Sequence, residues 1–168
     1  YRMLTTLRDF GAERLGAAGR AAELRARHAE YYVRAAEAAS AGMRTGDEAR
    51  WAASVHADLG NLRSAHLWAI EHEDVDLAAR LLIALWIYGV HRPSGEFFRW
   101  VEEAFAALPL GDHERAAELY GIDALGAWVR DDLQRCLRSC QAAFDAETQR
   151  GTGVTVPARI AIVMAASY

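Results

Sequence analysis

Apolar side chains recur along this chain at steps of three and four almost everywhere, the spacing of helices that each bury one face. Between Ala21 and Ala39, the positions Leu24, His28, Tyr31, Tyr32 and Ala35 share a stripe. Trp51, Val55, Leu59, Leu62, His66 and Ala69 form a second, with Thr45 and Glu48 spaced as a capping box just ahead of it. A third stripe, Leu77, Leu81, Leu82, Leu85, Trp86 and Tyr88, is apolar nearly all round and predicts the most buried helix. It ends near Gly89, because His91-Arg92-Pro93 cannot easily continue it. Ser94 is placed to cap a helix carrying Phe97, Trp100, Val101, Ala104, Phe105 and Leu108.

Pro109-Leu110-Gly111-Asp112 is turn chemistry, with Asp112 as N-cap of a helix through Trp128. Asp131 or Asp132 opens the next helix, which holds Leu133, Cys136, Leu137, Cys140, Ala143 and Phe144 until Gly151-Thr152-Gly153 breaks it. Pro157 suits the first turn of a last helix from Ala158 to Tyr168. The one strand candidate is Tyr1 to Leu4, ahead of a helix from about Thr5 to Leu15.

Seven or eight helices joined by short turns predict an all-α fold of antiparallel hairpins stacked as an array. A shift of 39 residues lays Leu81 on Tyr120, Tyr88 on Ala127, Val101 on Cys140 and Phe105 on Phe144. Identity is weak in this match, but the helix–turn–helix phase is kept. It suggests two repeats of a hairpin over residues 73–168, with Pro157 to Tyr168 as the first helix of a third, and residues 17–72 as a linking hairpin.

Composition narrows the class. Of 168 residues, 52% are hydrophobic and 25% charged, which excludes a disordered chain and is enough for a buried core. No apolar run is long enough to span a bilayer, and no segment reads as a signal peptide. A formal charge of −4 argues against direct nucleic-acid contact. All 19 basic residues are Arg, and about a fifth of the chain is Ala, a bias that also favours helix. The two cysteines, Cys136 and Cys140, lie four apart on one helix face, which suits a reduced, cytoplasmic setting better than a disulfide framework.

Candidate chemistry is sparse. Gly151-Thr152-Gly153 lacks the Lys and Ser/Thr of a phosphate loop, and no two histidines sit four apart around a Glu. Cys136 and Cys140 fall in an apolar stripe and read as core packing. His66 and His28 lie beside aromatic residues and read as hydrogen-bonded interface side chains. Glu102-Glu103 reads as a solvated face and Asp131-Asp132 as a cap, since neighbours on a helix point about 100° apart. Asp123, between Ile122 and Leu125, either points outward, the favoured orientation, or faces a groove and meets a partner's cation. The five tryptophans (51, 68, 86, 100 and 128), one per helix, read as core anchors.

Three stretches together resemble a known family. Residues 1–15, YRMLTTLRDFGAERL, look like the segment that closes the winged-helix part of NB-ARC (STAND) ATPases in bacterial transcriptional regulators, which assigns residues 1–16 to the tail of such a part. Arg27-His28-Ala29-Glu30-Tyr31-Tyr32 is similar to the helix that follows there. Asn61 to Ala69 resembles the Asn-Leu-Arg-x-Ala-Leu-x-Trp-Ala pattern of the next, with His66 where that pattern has Leu. Trp100 to Phe105 is similar to the second helix of a tetratricopeptide-like repeat, although Phe97 stands where such repeats place a small residue and the period is about 39 rather than 34.

The resemblance implies a switch protein of the LuxR or antibiotic-regulator type, whose nucleotide-binding core is held or released by a helical sensor array. No nucleotide-binding motif lies in these residues, so no cofactor is expected within them. The leading expectation is a non-catalytic interaction module that binds a protein, a peptide, a small effector or another domain of its own polypeptide on a concave surface. Trp86, Arg92, Asp123 and Arg130 are the candidate contact residues. The rivals are a small helical-bundle enzyme or metal-binding domain using His66, His113, Cys136 and Cys140, and a scaffold that only forms homo-oligomers.

Overall fold

The computed structural model describes residues 20–92, 95–151 and 156–166. Among them the chain is an all-α array of α1 (Ala21–Gly42), α2 (Glu48–Ala57), α3 (Leu59–Glu71), α4 (Val75–His91), α5 (Glu96–Ala107), α6 (Ala116–Val129), α7 (Leu133–Arg150) and α8 (Val156–Ala165). A short 3-10 turn, Leu110–Asp112, links α5 to α6. The expected strand at Tyr1–Leu4, the helix at Thr5–Leu15, the winged-helix tail and the Ser94 cap lie outside the described residues. None of the described helices is long and apolar enough to cross a membrane.

One core cluster runs from α1 to α8. Helix α4, as its all-round apolar pattern predicts, contributes the most to it: Leu77 to Leu85, Arg80 excepted, and then Ile87, Tyr88 and Gly89 are buried. Helix α1 packs on both α3 and α4, and its buried face is Ala29, Val33, Ala36, Ala39 and Ser40. That is a correction to the aromatic stripe, for His28 and Tyr31 are exposed, the latter at 65%. Contact with two helices at once selects the face with the smallest side chains, because bulky rings would hold the axes apart. The same logic governs the far end. Helix α6 packs on both α7 and α8, and the α6–α7 pair buries small residues on both helices, among them Ala117, Gly121 and Ala124 on α6 and Cys136, Ser139, Cys140 and Ala143 on α7. Leu133 and Leu137, apolar positions of the same predicted helix, are instead largely exposed.

Several boundaries differ from the expected ones for local reasons. The stripe from Trp51 to Ala69 is broken at Asp58, which closes α2 and opens α3. Thr45 does not cap α2; its hydroxyl donates to the Gly42 carbonyl at the end of α1. Asp112 closes the 3-10 turn, and α6 starts later, at Ala116. Asp74 and Asp132 are true caps, whose carboxylates accept from the backbone N–H of Leu77 and Arg135. Gly151, at φ +66°, ends α7 in the left-handed conformation that glycine adopts most readily.

Helix α5 is seated by two rings over two glycines. A Cβ on Gly89 of α4 would lie 2.2 Å from the Phe97 ring, and one on Gly126 of α6 would lie 2.7 Å from Phe98. The rings therefore occupy the space that any larger residue would need. An Arg80 clamp ties α4 to α1, bonding Glu37 at 2.8 and 3.0 Å and Glu30 at 3.0 and 3.2 Å. The guanidinium holds the Glu30 carboxyl below its ordinary range. Of the tryptophans only Trp100 is fully buried; Trp51, Trp68, Trp86 and Trp128 pack half-buried against the core rim.

Gly89→Ala should destabilise the fold. Overpacking against Phe97 costs about 1–3 kcal/mol, which exceeds the gain of up to about 1 kcal/mol from better helix propensity. Gly60→Ala in α3, where a Cβ would meet nothing within 4 Å, keeps only the propensity gain. Urea denaturation of both variants should show shifts of opposite sign.

Candidate functional site

A groove of about 360 Å³ lies between α3 and α5. Its lining alternates charge and apolar surface: Arg63, His66 and Leu67 from α3 face Glu96, Arg99, Trp100 and Glu103 from α5. The groove is lined this way because positions one turn apart on each helix, Arg63 and Leu67 on one, Glu96, Arg99 and Glu103 on the other, project on the same side of the seam. Arg63 Nε donates to Glu96 Oε1 at 2.7 Å. At the base, His66 is only 1% exposed and stacks on Trp100, with ring centroids 5.4 Å apart and planes 13° from parallel.

His66 Nε2 lies 3.1 Å from Glu103 Oε2. A carboxylate only accepts, which places the ring proton on Nε2 and leaves Nδ1 an acceptor; Nδ1 is buried without a hydrogen-bond partner. Burial holds the His66 pKa below its ordinary 6.5, and the Glu103 bond offsets only part of that. His66 is thus the hydrogen-bonded interface residue expected from its setting. The stretches Asn61–Ala69 and Trp100–Phe105, singled out separately in the sequence, are here clasped to one another.

A second polar cluster joins α5, α6 and α7. Asp123 is 5% exposed, which corrects its expected outward orientation. It accepts from Arg135 Nη2 at 2.6 Å and Nε at 3.2 Å, and from the Ser139 hydroxyl at 2.6 Å. Arg135 also reaches Glu102 at 2.6 Å, and Glu102 takes Arg130 at 2.7 Å. Glu102 and Glu103 are therefore both engaged across helices, where a merely solvated face was expected. The partner that would have revealed Asp123 is Arg135, twelve residues away on the next helix, and no periodicity within one helix signals such a pairing.

Of the other candidate contact residues, Trp86 is half-buried against the core, and Arg92 is exposed beyond α4, 3.9 Å from Glu48. Asp123 and Arg130 belong to the ion cluster just described. His113 sits 3.5 Å from Asp76. Cys136 and Cys140 are buried free thiols in hydrogen-bond contact, and burial pushes the Cys140 pKa up to about 12. So His66, His113 and the cysteine pair occupy separate settings, and among the described residues no three His, Cys, Asp or Glu side chains gather as a metal site.

Three curated relatives, one from Mycobacterium bovis and two from Mycobacterium tuberculosis, each carry the name "Putative HTH-type transcriptional regulator". Each is 30% identical over 138 residues, covering 77% of this chain. The chain is similar to part of a transcriptional regulator. It spans 15% of the length of each of these relatives, so the similarity is to a segment of a much longer polypeptide. No protein-family model matches the chain, and no solved structure matches it.

The His66 site makes the fold acid-sensitive with a defined sign. Its folded pKa is depressed, so its contribution to stability is fully present above pH 6.5 and is lost as pH falls through the lower folded value. Melting temperature measured from pH 7.5 to 5 should fall for the native chain and show a smaller slope in His66→Leu. In the ion cluster, Arg135→Ala strands a buried carboxylate and should cost about 2–3 kcal/mol. Arg130→Ala, at the exposed rim, should cost less than about 1 kcal/mol by the same urea titration.

Proposed function

We propose that this chain is a non-catalytic sensor and interaction module within an NB-ARC (STAND) type transcriptional regulator. The observation that carries the proposal is the similarity itself: most of the chain aligns with a small fraction of regulators several times its length. The α3–α5 clasp supports it, because the regulator-like stretch Asn61–Ala69 and the repeat-like stretch Trp100–Phe105 form the walls of the groove. Helices stacked with short connections present a surface whose shape follows from how adjacent hairpins tilt. A ligand that bridges two of them and prefers one tilt shifts the population of that arrangement.

On this account the groove receives an effector or a partner segment, and the change is read by the remainder of a cytoplasmic polypeptide. A helical-bundle enzyme or metal domain draws no support from the geometry, since its proposed residues engage separate neighbours.

The test is made on the intact regulator. Removing the equivalent of residues 20–166 should change the rate at which the protein exchanges bound nucleotide by about tenfold or more, a coupling near 1.4 kcal/mol. An exchange rate unaltered by the deletion, in a protein that still melts cooperatively, counts decisively against a regulatory role.

A further inference from the structure

The groove between α3 and α5 carries four formal charges on its rim, and the fold neutralises only two of them. Arg63 and Glu96 bond each other across the seam. Glu103 accepts from His66, but a buried neutral imidazole cancels no charge. Arg99, one turn before Glu103 on α5, is exposed and has no ion-pair partner among the described residues. An Arg placed four residues ahead of a Glu is the weaker orientation for a pair on a helix, and here Glu103 is turned to His66 on α3 instead. The result is one cation and one anion on side chains whose Cβ atoms lie about 6 Å apart along a helix face, both lining the same hollow.

The rest of the lining says what lies between those charges. Leu67 is 48% exposed at the opposite wall, and the Trp100 ring, backed by His66, supplies an apolar base. A volume of about 360 Å³ falls at the small end of ligand sites. A simple anion entering it meets Glu96 and Glu103 as well as the arginines, and a simple cation meets Arg63 and Arg99. Only a molecule that carries both signs gains at both free groups without repulsion.

We propose that the groove binds a zwitterion of amino-acid or dipeptide size, with its carboxylate on Arg99, its ammonium on Glu103 and an aliphatic body against Leu67 and Trp100. This rests on the reading of the array as an effector-receiving module and narrows the effector to one chemistry. Arg99 is the specificity-determining residue for the carboxylate. Glu103 serves twice, since the oxygen not held by His66 is free to accept from the ammonium.

Isothermal titration of the 168-residue chain tests this with four probes. L-Leucine and L-leucyl-L-leucine carry both charges, N-acetyl-L-leucine only the carboxylate, and L-leucine methyl ester only the ammonium. Saturable binding of at least one zwitterion, weakened about tenfold or more by either cap and by Arg99→Ala, is the expected result. Because Arg99 is exposed, its replacement should leave the melting temperature essentially unchanged, and the loss is then one of recognition. The proposal is overturned if neither zwitterion binds saturably below about 10 mM, or if a capped probe or the Arg99→Ala chain binds within tenfold of the parent pair. Nucleotide exchange in the intact regulator does not depend on which molecule fills the groove, so the two proposals can fail separately.

Discussion

Two phenyl rings set over two glycines determine where α5 lies, and most of what is distinctive about this chain follows from that placement. Phe97 reaches back over Gly89 on α4 and Phe98 reaches forward over Gly126 on α6. Each contact is a steric requirement as well as an attraction, because a methyl group at either glycine would coincide with ring atoms. With α5 held on both sides, its outer face can only present Glu96, Arg99 and Glu103 towards α3. The groove and the histidine clasp are therefore consequences of core packing.

The polar contacts divide by what they stand to lose. Arg80 and its two glutamates sit at a rim where water competes, and such pairs add little to stability while still fixing the approach of α1 to α4. Asp123 is in a different position. It is buried, and Arg135 and Ser139 supply the hydrogen bonds that make its charge tolerable there. A seam of small residues brings α6 and α7 close enough for that side-chain set to span them, so the ion cluster depends on the alanines and cysteines around it. It acts as a registration mark between the two helices, since a slip of either by one turn would strand a carboxylate.

Much of the fold was legible because periodicity reports which face of a helix is wet. Helix α4, the buried pair Cys136 and Cys140, and the cap at Asp132 show how far the local pattern reached. Where periodicity misled, the cause was tertiary. The Leu24–His28–Tyr31 stripe on α1 is genuine, yet α1 turned its smaller side chains inward to fit two neighbours. Leu133 and Leu137 gave the buried face of their helix to Cys136, Ser139 and Cys140 for the same reason. The candidate site was less legible than the fold. His66 was recognised as an interface residue, but its partner lies 37 positions away, and no local pattern announces a pairing at that range. The apolar flanks of Asp123 alone predict an outward side chain, whereas the arginine that holds it inside lies on α7.

The same distances fit the proposed reading of the groove as an effector site. Catalysis wants a titratable group held near neutrality and open to substrate, as a general base or acid. The one buried histidine here is held neutral with Nε2 committed to Glu103 and Nδ1 sealed from contact, so it has no proton to exchange with a bound molecule. What the groove does offer is a rigid apolar base between two helices, with opposite charges left free at its mouth. A molecule held by those charges on α5 while its body packs on Leu67 of α3 gains most when α3 and α5 are at one particular separation. That dependence on helix spacing is what a sensor needs and what an active site, which must hold its geometry constant, would avoid.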